Sequence, residues 1–440
     1  MTFPGGLTPQ AWLDAHVNME TGVGFPAPTR ERGAPTLERI SALLQYLGSP
    51  QLEYPAVHLT GTNGKTTATR MVTELLATVG LMVGSTTSPH LERVNERIMF
   101  NGEPIGDADL DEQLRVIALV EREIGLDPSY FEVVLAAALR WFADIAVDVA
   151  VVEVGVGGTW DATNVVDGQV AVITNVSVDH VALLGGTVAE IATEKAGIVK
   201  PGSTLVLGET DPDLDAIFAA RGAARVVRRD IDFGALSNVP ALGGRMLELF
   251  TPLARYPDVF LPLYGAYQGD NAAVALAAAE EMVGAPLDAD VVRAAFSNVR
   301  SPGRLEIVGR HPLVLLDGAH NVAGAEALRE ALDEEFAPAP RTLVVGLLRE
   351  KDPGEILRAL GLDDVVHLVC ARPPNGRALE PGLIAAAAMD LGFPAERIEV
   401  VDTVADAIST ALLTTPADGE IVVTGSLYFV GAARSMLVDR

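Results

Sequence analysis

The chain has 440 residues, room for two or three domains at about 150 residues each. Its 32 basic and 59 acidic residues leave a net charge of −27, a field that repels phosphate backbones and argues against a sequence-general nucleic-acid binder. Hydrophobic residues make up 49%, Cys370 is the single cysteine, and the apolar text from 133 to 154 is broken by Arg140, Asp144, Asp148 and Glu153. The reading is therefore a globular, cytoplasmic protein with no internal disulfide, no cysteine-bound zinc, no membrane span and no secretory leader.

Taken in chain order, a Gly/Pro-rich loop over 22–35 precedes an amphipathic helix over 37–47 that Gly48 closes. Strands are predicted at 56–60, 147–154, 170–174, 204–207, 313–316, 342–345, 365–369 and 421–423. Helices are predicted at 66–79, 110–124, 131–143, 188–196, 268–282, 323–334 and 381–389. Continuous apolar strands interleaved with helices predict an α/β protein with a mainly parallel sheet covered on both faces. The segment 228–262, irregular and rich in Gly, Pro and Leu, reads as a β-rich excursion. Loop-like text over 297–304 opens a fresh strand–helix series, which places a domain boundary near 299–305 and divides the chain into 1–299 and 300–440.

The strongest local signal is His58-Leu-Thr-Gly-Thr-Asn-Gly-Lys-Thr-Thr. A β-branched strand enters a turn with Gly61 and Gly64, then Lys65 and Thr66 open a helix whose apolar positions Met71, Leu75, Leu76 and Val79 recur at helical spacing. Such a turn lets backbone N–H groups close around phosphate oxygens, with Lys65 reaching the terminal phosphates and the Thr66 hydroxyl free to ligate Mg²⁺. The motif is the short form G-T-x-G-K-T, since Leu59 stands where the longer pattern needs its first glycine. An ordinary glycine-bearing turn is the plainer alternative, and the flanking strand and helix favour the nucleotide.

Three further signals each sit at the tip of an apolar strand. Glu153 ends the run Val149-Ala-Val-Val-Glu and leads into Gly155-Val-Gly-Gly-Thr-Trp160-Asp161-Ala162. A lone carboxylate there needs compensation, by Mg²⁺ or by an ordinary ion pair. Thr174-Asn-Val-Ser-Val-Asp-His180 is followed by a helix ending near Lys195. Asp317-Gly-Ala-His320-Asn321 repeats the pattern in the second domain, and if it faces the phosphate loop the site closes over substrate. Only four of the 32 basic residues are lysines (Lys65, Lys195, Lys200 and Lys351), which either reflects a chain-wide bias to Arg or marks lysines with work that Arg cannot do.

Together these motifs resemble the folylpolyglutamate synthase / dihydrofolate synthase family of the Mur ligase superfamily. The resemblance runs from Leu37-Glu-Arg-Ile through Gly61-Thr-Asn-Gly-Lys, Thr87-Ser-Pro-His-Leu, Asn95-Glu-Arg-Ile and Ser129-Tyr-Phe-Glu. It continues through Glu153-Val-Gly-Val-Gly-Gly, Asp161-Ala-Thr-Asn, Glu194-Lys-Ala-Gly-Ile, Pro302-Gly-Arg-Leu-Glu and Asp317-Gly-Ala-His-Asn to Gly425-Ser-Leu-Tyr. It implies a P-loop-containing central domain and a smaller Rossmann-like C-terminal domain. The implied enzyme is an ATP-dependent carboxylate–amine ligase that adds L-glutamate to tetrahydrofolate polyglutamates, to dihydropteroate, or to both, through an acyl phosphate. It further implies that Gly61, Thr62, Asn63, Gly64, Lys65 and Thr66 surround the ATP phosphates, that Asn271, Arg304 and Asp317 touch the nucleotide with His320 close by, and that Thr66, Ser88, Glu153 and His180 serve Mg²⁺. Lys195 matches the family's carbamylated lysine, which makes Lys65, His180 and Lys195 the catalytic candidates. The folate-type substrate would lie near Gly33, Ala34, Pro35, Phe131, Trp160, Asp161 and Ala162. Departures at Thr66, Thr159 and Tyr267 leave the ATP chemistry intact. A cell-wall ligase acting on a UDP-muramyl precursor is the alternative, but its usual UDP-binding domain has no room before residue 61. A catalytically dead scaffold is a second, disfavoured by intact Lys65, Glu153, His180 and Lys195. Both domains lie in one chain, so a monomer is expected.

Overall fold

The computed structural model of the chain describes residues 3, 6–21 and 37–438. The loop read at 22–35, and with it Gly33, Ala34 and Pro35, lies outside the described residues. The chain divides into two compact units, one of Met1–Val239, Met246–Pro262 and Gln268–Val299, the other of Pro240–Arg245, Leu263–Tyr267 and Arg300–Arg440.

The first unit is built on eight strands: β1 (Ala56–Thr60), β2 (Val83–Thr86), β3 (Ile98–Phe100), β4 (Glu103–Pro104), β5 (Val149–Glu153), β6 (Gly168–Ile173), β7 (Thr204–Leu207) and β8 (Arg225–Arg228). They stand in the order β4-β3-β2-β5-β1-β6-β7-β8. Pairing is parallel from β2 through β8, while β3 and β4 add an antiparallel edge. Every residue of β1 and β5 is buried, as expected for strands covered on both faces. Helix Lys65–Val79 buries Met71, Val72, Leu75 and Leu76 and stops at Gly80, whose φ of +107° a side chain would resist. Helix Tyr130–Asp144 starts with a capping box between Ser129 and Glu132 and buries Val133, Leu135, Ala136, Leu139 and Phe142. Each fully buried Leu, Val or Phe contributes about 1.5–3 kcal/mol, which offsets the cost of ordering these elements.

The strand expected at 147–154 is shorter, Val149–Glu153. The reason is local: the N–H of Val147 bonds to Phe142 O at 3.1 Å, so Val147 still closes the preceding helix. The segment 228–262 carries β9 (Gly234–Ala241), β10 (Gly244–Phe250) and β11 (Arg255–Leu261) in one three-stranded sheet.

The second unit holds β12 (Glu306–Arg310), β13 (Leu313–Leu316), β14 (Arg341–Val345), β15 (Val365–Cys370), β16 (Ile398–Val400) and β17 (Glu420–Thr424), ordered β12-β13-β17-β14-β15-β16. All its pairs are parallel except β12 with β13. Its core gathers Leu315, Leu328, Leu343, Val345, Leu357, Leu368 and Val422. No helix among the described residues is long and apolar enough to cross a membrane.

Candidate active site

Strand β1 delivers Gly61–Thr66 to the carboxyl edge of the larger sheet, where ligand crevices form in parallel α/β folds. Gly64 has φ +81°, and a Cβ built on it would stand 2.3 Å from Asn271 Oδ1, so both conformation and space demand glycine. At Gly61 a Cβ would meet Thr174 Oγ1 at 1.8 Å. The loop is braced from the next strand: Thr174 Oγ1 donates to Asn63 O at 2.7 Å, the N–H of Asn63 donates to Asn175 Oδ1 at 2.9 Å, and Thr62 Oγ1 donates to Ser177 O at 3.1 Å. Lys65 folds back over the loop, donating to Gly61 O at 2.9 Å and Thr62 O at 3.2 Å. Asn271 is buried and donates to Gln268 Oε1 at 2.9 Å.

Thr66 Oγ1 donates to Glu153 Oε1 at 2.8 Å, and the N–H of Ser88 donates to Glu153 Oε2 at 3.1 Å. Glu153 is only 2% exposed. Sheet order explains the meeting: β2, β5 and β1 are adjacent and parallel, with Leu59 paired to Glu153 and Thr86 to Val152, so their C-terminal ends converge. One carboxylate beside a hydroxyl suits a hard divalent cation that keeps waters and takes phosphate oxygens as its remaining ligands. Among the described residues there is no group of three or more His, Cys, Asp or Glu that could hold a metal ion.

Gly61, Thr62 and Lys65 line one small cleft together with Gly155–Gly157, Asp179, His180 and Lys195. Lys195 ends helix Val188–Lys195 and is 3% exposed. Burial drives its pKa well below the usual lysine value, the nearby Lys65 charge adds to the fall, and Asp179 and Asp161 oppose it. His180 adopts φ +51°, its N–H donates to Asp179 Oδ1 at 2.7 Å, and its Nε2 lies 4.0 Å from Asp179 Oδ2.

Of the expected substrate-side residues, Phe131, Trp160 and Asp161 border the glycine loop. A Cβ on Gly155 would meet Phe131 Cζ and Asp161 Oδ2, each at 3.1 Å, and one on Gly157 would meet Trp160 Cζ2 at 3.4 Å. Asp161 is 6% exposed and caps the turn Ala162–Val165. Its carboxylate accepts from Val156 N at 3.0 Å and Thr163 N at 2.9 Å, bonds that orient the loop. Burial raises the Asp161 pKa and these donors counter the rise.

In the second unit Asp317 Oδ2 accepts from Leu305 N and Oδ1 from Ala319 N, both at 2.8 Å. Burial raises its pKa, and Arg304 opposes that most strongly. Arg304 also packs on this loop, because a Cβ on Gly318 would meet its Nη1 at 2.6 Å. His320 Nδ1 lies 2.8 Å from Gly318 O, and Asn321 caps helix Val322–Glu335.

Within the Thr174–His180 signal the sequence assigned no role to Asp179, which lines the cleft beside His180, or to Thr174, Asn175 and Ser177, which hold the phosphate loop. Their only signal was position at the end of an apolar strand, one strand over from the glycines.

Residues 110–279 match the Mur ligase middle domain and residues 303–427 the Mur ligase glutamate ligase domain. A dihydrofolate synthase/folylpolyglutamate synthase of Mycobacterium tuberculosis is 42% identical over 441 aligned residues, covering 91% of this chain and 90% of that protein. The solved Mycobacterium tuberculosis folylpolyglutamate synthase complexed with ADP and AMPPCP superposes with a TM-score of 0.86 at 42% identity, over 92% of this chain and 95% of that one. The E. coli FolC in complex with DHPP and ADP superposes with a TM-score of 0.85 at 28% identity, over 99% of this chain and 98% of that one.

Proposed function

The chain belongs to the dihydrofolate synthase/folylpolyglutamate synthase family of the Mur ligases, and from that premise we propose how its own residues carry the reaction. It is an ATP-dependent ligase that joins L-glutamate to a folate-type carboxylate. The observation that supports the residue assignment is the convergence of Lys65, Lys195, His180 and the phosphate loop on one cleft.

Gly61–Thr66 cradle the ATP phosphates, with Lys65 leaving its loop carbonyls to neutralise charge on the transferring group. Asn271 borders that cradle, while Arg304, Asp317 and His320 of the second unit are assigned to the nucleotide. Thr66, Glu153 and Ser88 would hold one Mg²⁺ and His180 a second, supplying charge neutralisation on the phosphate oxygens. A substrate carboxylate oxygen attacks the γ-phosphorus, and the bond to the bridging oxygen breaks to release ADP. The amine of glutamate then adds to the acyl carbon, and phosphate leaves with the former carboxylate oxygen. The residues lining the cleft hold the reacting groups in line.

Lys195 is assigned as a carbamate. The burial and the Lys65 charge that lower its pKa favour the neutral amine that carbamylation needs, and Arg could not take its place. Phe131, Trp160, Asp161 and Ala162 are assigned to the folate-type acid, whose flat heterocycle suits stacking on the two rings. The test is the mass of the product when the purified protein receives ATP, Mg²⁺ and L-glutamate with either dihydropteroate or tetrahydrofolate. A gain of one glutamyl unit on both acids assigns both activities, and a gain on one assigns that activity. No gain on either removes the substrate assignment.

A further inference from the structure

His58 lies on β1, three residues before Gly61, fully buried, and has no part in the assignments above. Its Nε2 sits 3.0 Å from Thr163 Oγ1. Thr163 Oγ1 in turn donates to Asp161 Oδ1 at 2.5 Å. Asp161 Oδ1 also takes the N–H of Thr163 and Oδ2 that of Val156, so both oxygens act as acceptors. The Thr163 proton is thus committed to Asp161, which leaves the Thr163 oxygen to accept and obliges His58 to donate from Nε2. His58 Nδ1 must then be bare, and it has no hydrogen-bond partner among the described residues. Burial, with Lys200 adding to it, keeps the ring neutral.

We propose that His58 is a positioning residue for the wall of the cleft that receives the folate-type acid. It acts through Thr163 to fix the Asp161 carboxylate, which in turn holds the N–H of Val156, a residue lining the cleft. The relay ties the strand that feeds the phosphate loop to the loop opposite it, so one rigid element sets both sides of the cleft. The inference rests on the folate-ligase reading of that cleft.

Two measurements test it. Thr163→Val keeps the shape and removes the hydroxyl, and Thr163→Ser returns it; His58→Leu removes the donor, and His58→Gln returns an N–H near the Nε2 position. Loss of one buried hydrogen bond predicts a KM for the folate-type acid raised about threefold to tenfold in Thr163→Val and His58→Leu. The KM for ATP stays within about twofold, and Thr163→Ser and His58→Gln recover most of the loss. A merely structural role would lower the unfolding temperature or the active fraction and leave the acid KM where it was, and that result overturns the proposal. Should either apolar variant not fold, the wild-type ring decides: ¹⁵N–¹H spectra of histidine-labelled protein, with the His58 signal identified by its absence in His58→Gln, must show a proton on Nε2 and none on Nδ1. The opposite tautomer or a doubly protonated ring at neutral pH overturns it. Wild type that turns over neither acid would instead defeat the substrate reading, while the tautomer result would still stand.

Discussion

Thr66 and Glu153 are 87 positions apart in the chain and meet at 2.8 Å, hydroxyl to carboxylate, where the phosphate loop enters its helix. The other Glu153 oxygen takes the N–H of Ser88, so both oxygens are occupied by donors from two different strand ends. With its proton given to Glu153, the Thr66 oxygen keeps lone pairs for a cation, and the Mg²⁺ assignment turns on that.

Glu153→Gln places an amide N–H₂ against one of those two donors and removes the only carboxylate of the set. The variant is expected to lose about 10²–10³-fold in kcat, the range for deleting one preorganised electrostatic partner. Its half-saturating Mg²⁺ concentration should rise. ADP release followed across a Mg²⁺ titration checks this, and an unchanged Mg²⁺ dependence removes Glu153 from the metal set.

Two glycines of the same helix separate strain from function. Gly64 and Gly80 both have positive φ, but a Cβ on Gly64 would meet Asn271 Oδ1 at 2.3 Å whereas one on Gly80 meets nothing within 4 Å. Both Ala variants should lose about 1–2 kcal/mol from the left-handed backbone. Only Gly64→Ala should also weaken ATP binding, by about tenfold or more, since Asn271 must give way. Calorimetric ATP binding to both proteins decides it, and equal affinities contradict the role given to Asn271.

Lys195 carries a pH prediction. Its folded pKa is lowered, chiefly by burial and then by Lys65, so the amine becomes neutral at a lower pH than a free lysine. Carrying the proton costs stability below that folded value, and the penalty fades as pH rises towards 10.5. Carbamylation therefore strengthens as pH rises, and turnover of wild type in CO₂-depleted buffer should fall and return on adding bicarbonate. Lys195→Ala should be inactive and partly restored by small carboxylates, while Lys195→Arg is not restored. Full activity of Lys195→Ala without rescue contradicts the assignment.

The His58 ring makes a second. Its folded pKa is pushed down to about 3, first by burial and then by Lys200, from 6.5. Between those values the unfolded chain binds a proton that the folded chain refuses. The His58 contribution to stability is therefore complete above pH 6.5 and is lost as pH falls towards 3. On urea unfolding at about pH 5, wild type should take up about one proton more than His58→Gln. Equal proton uptake would mean that His58 is charged in the folded protein.

How much was legible in the sequence follows from the range of each interaction. The 61–66 turn was readable because its glycines, lysine and flanking periodicity are neighbours in the chain. The cores of the strands were readable because burial on both faces makes them continuously apolar. Strands Val83–Thr86, Ile98–Phe100 and Arg225–Arg228 were missed, since Gly, Ser and Thr in the first and Arg at both ends of the last break the apolar run and the middle one has only three residues. The helices Ala289–Asn298, Pro353–Leu360 and Val404–Thr414 were missed although amphipathic. The Ser88–Glu153 and His58–Thr163 bonds could not be read from the residues themselves, because they depend on sheet order and on one rotamer each. Asp161, read by resemblance as a substrate contact, also braces its own loop, a role visible only once Val156 N was placed.

The central claim is that ATP activates the substrate carboxylate within this cleft. It is tested most directly with a folate-type acid labelled with ¹⁸O in the reacting carboxylate, turned over with ATP and L-glutamate, followed by mass analysis of the released phosphate. Attack on the γ-phosphorus predicts one ¹⁸O in each phosphate and one retained in the new amide carbonyl. Phosphate free of label, with amide still formed, would contradict the acyl-phosphate route.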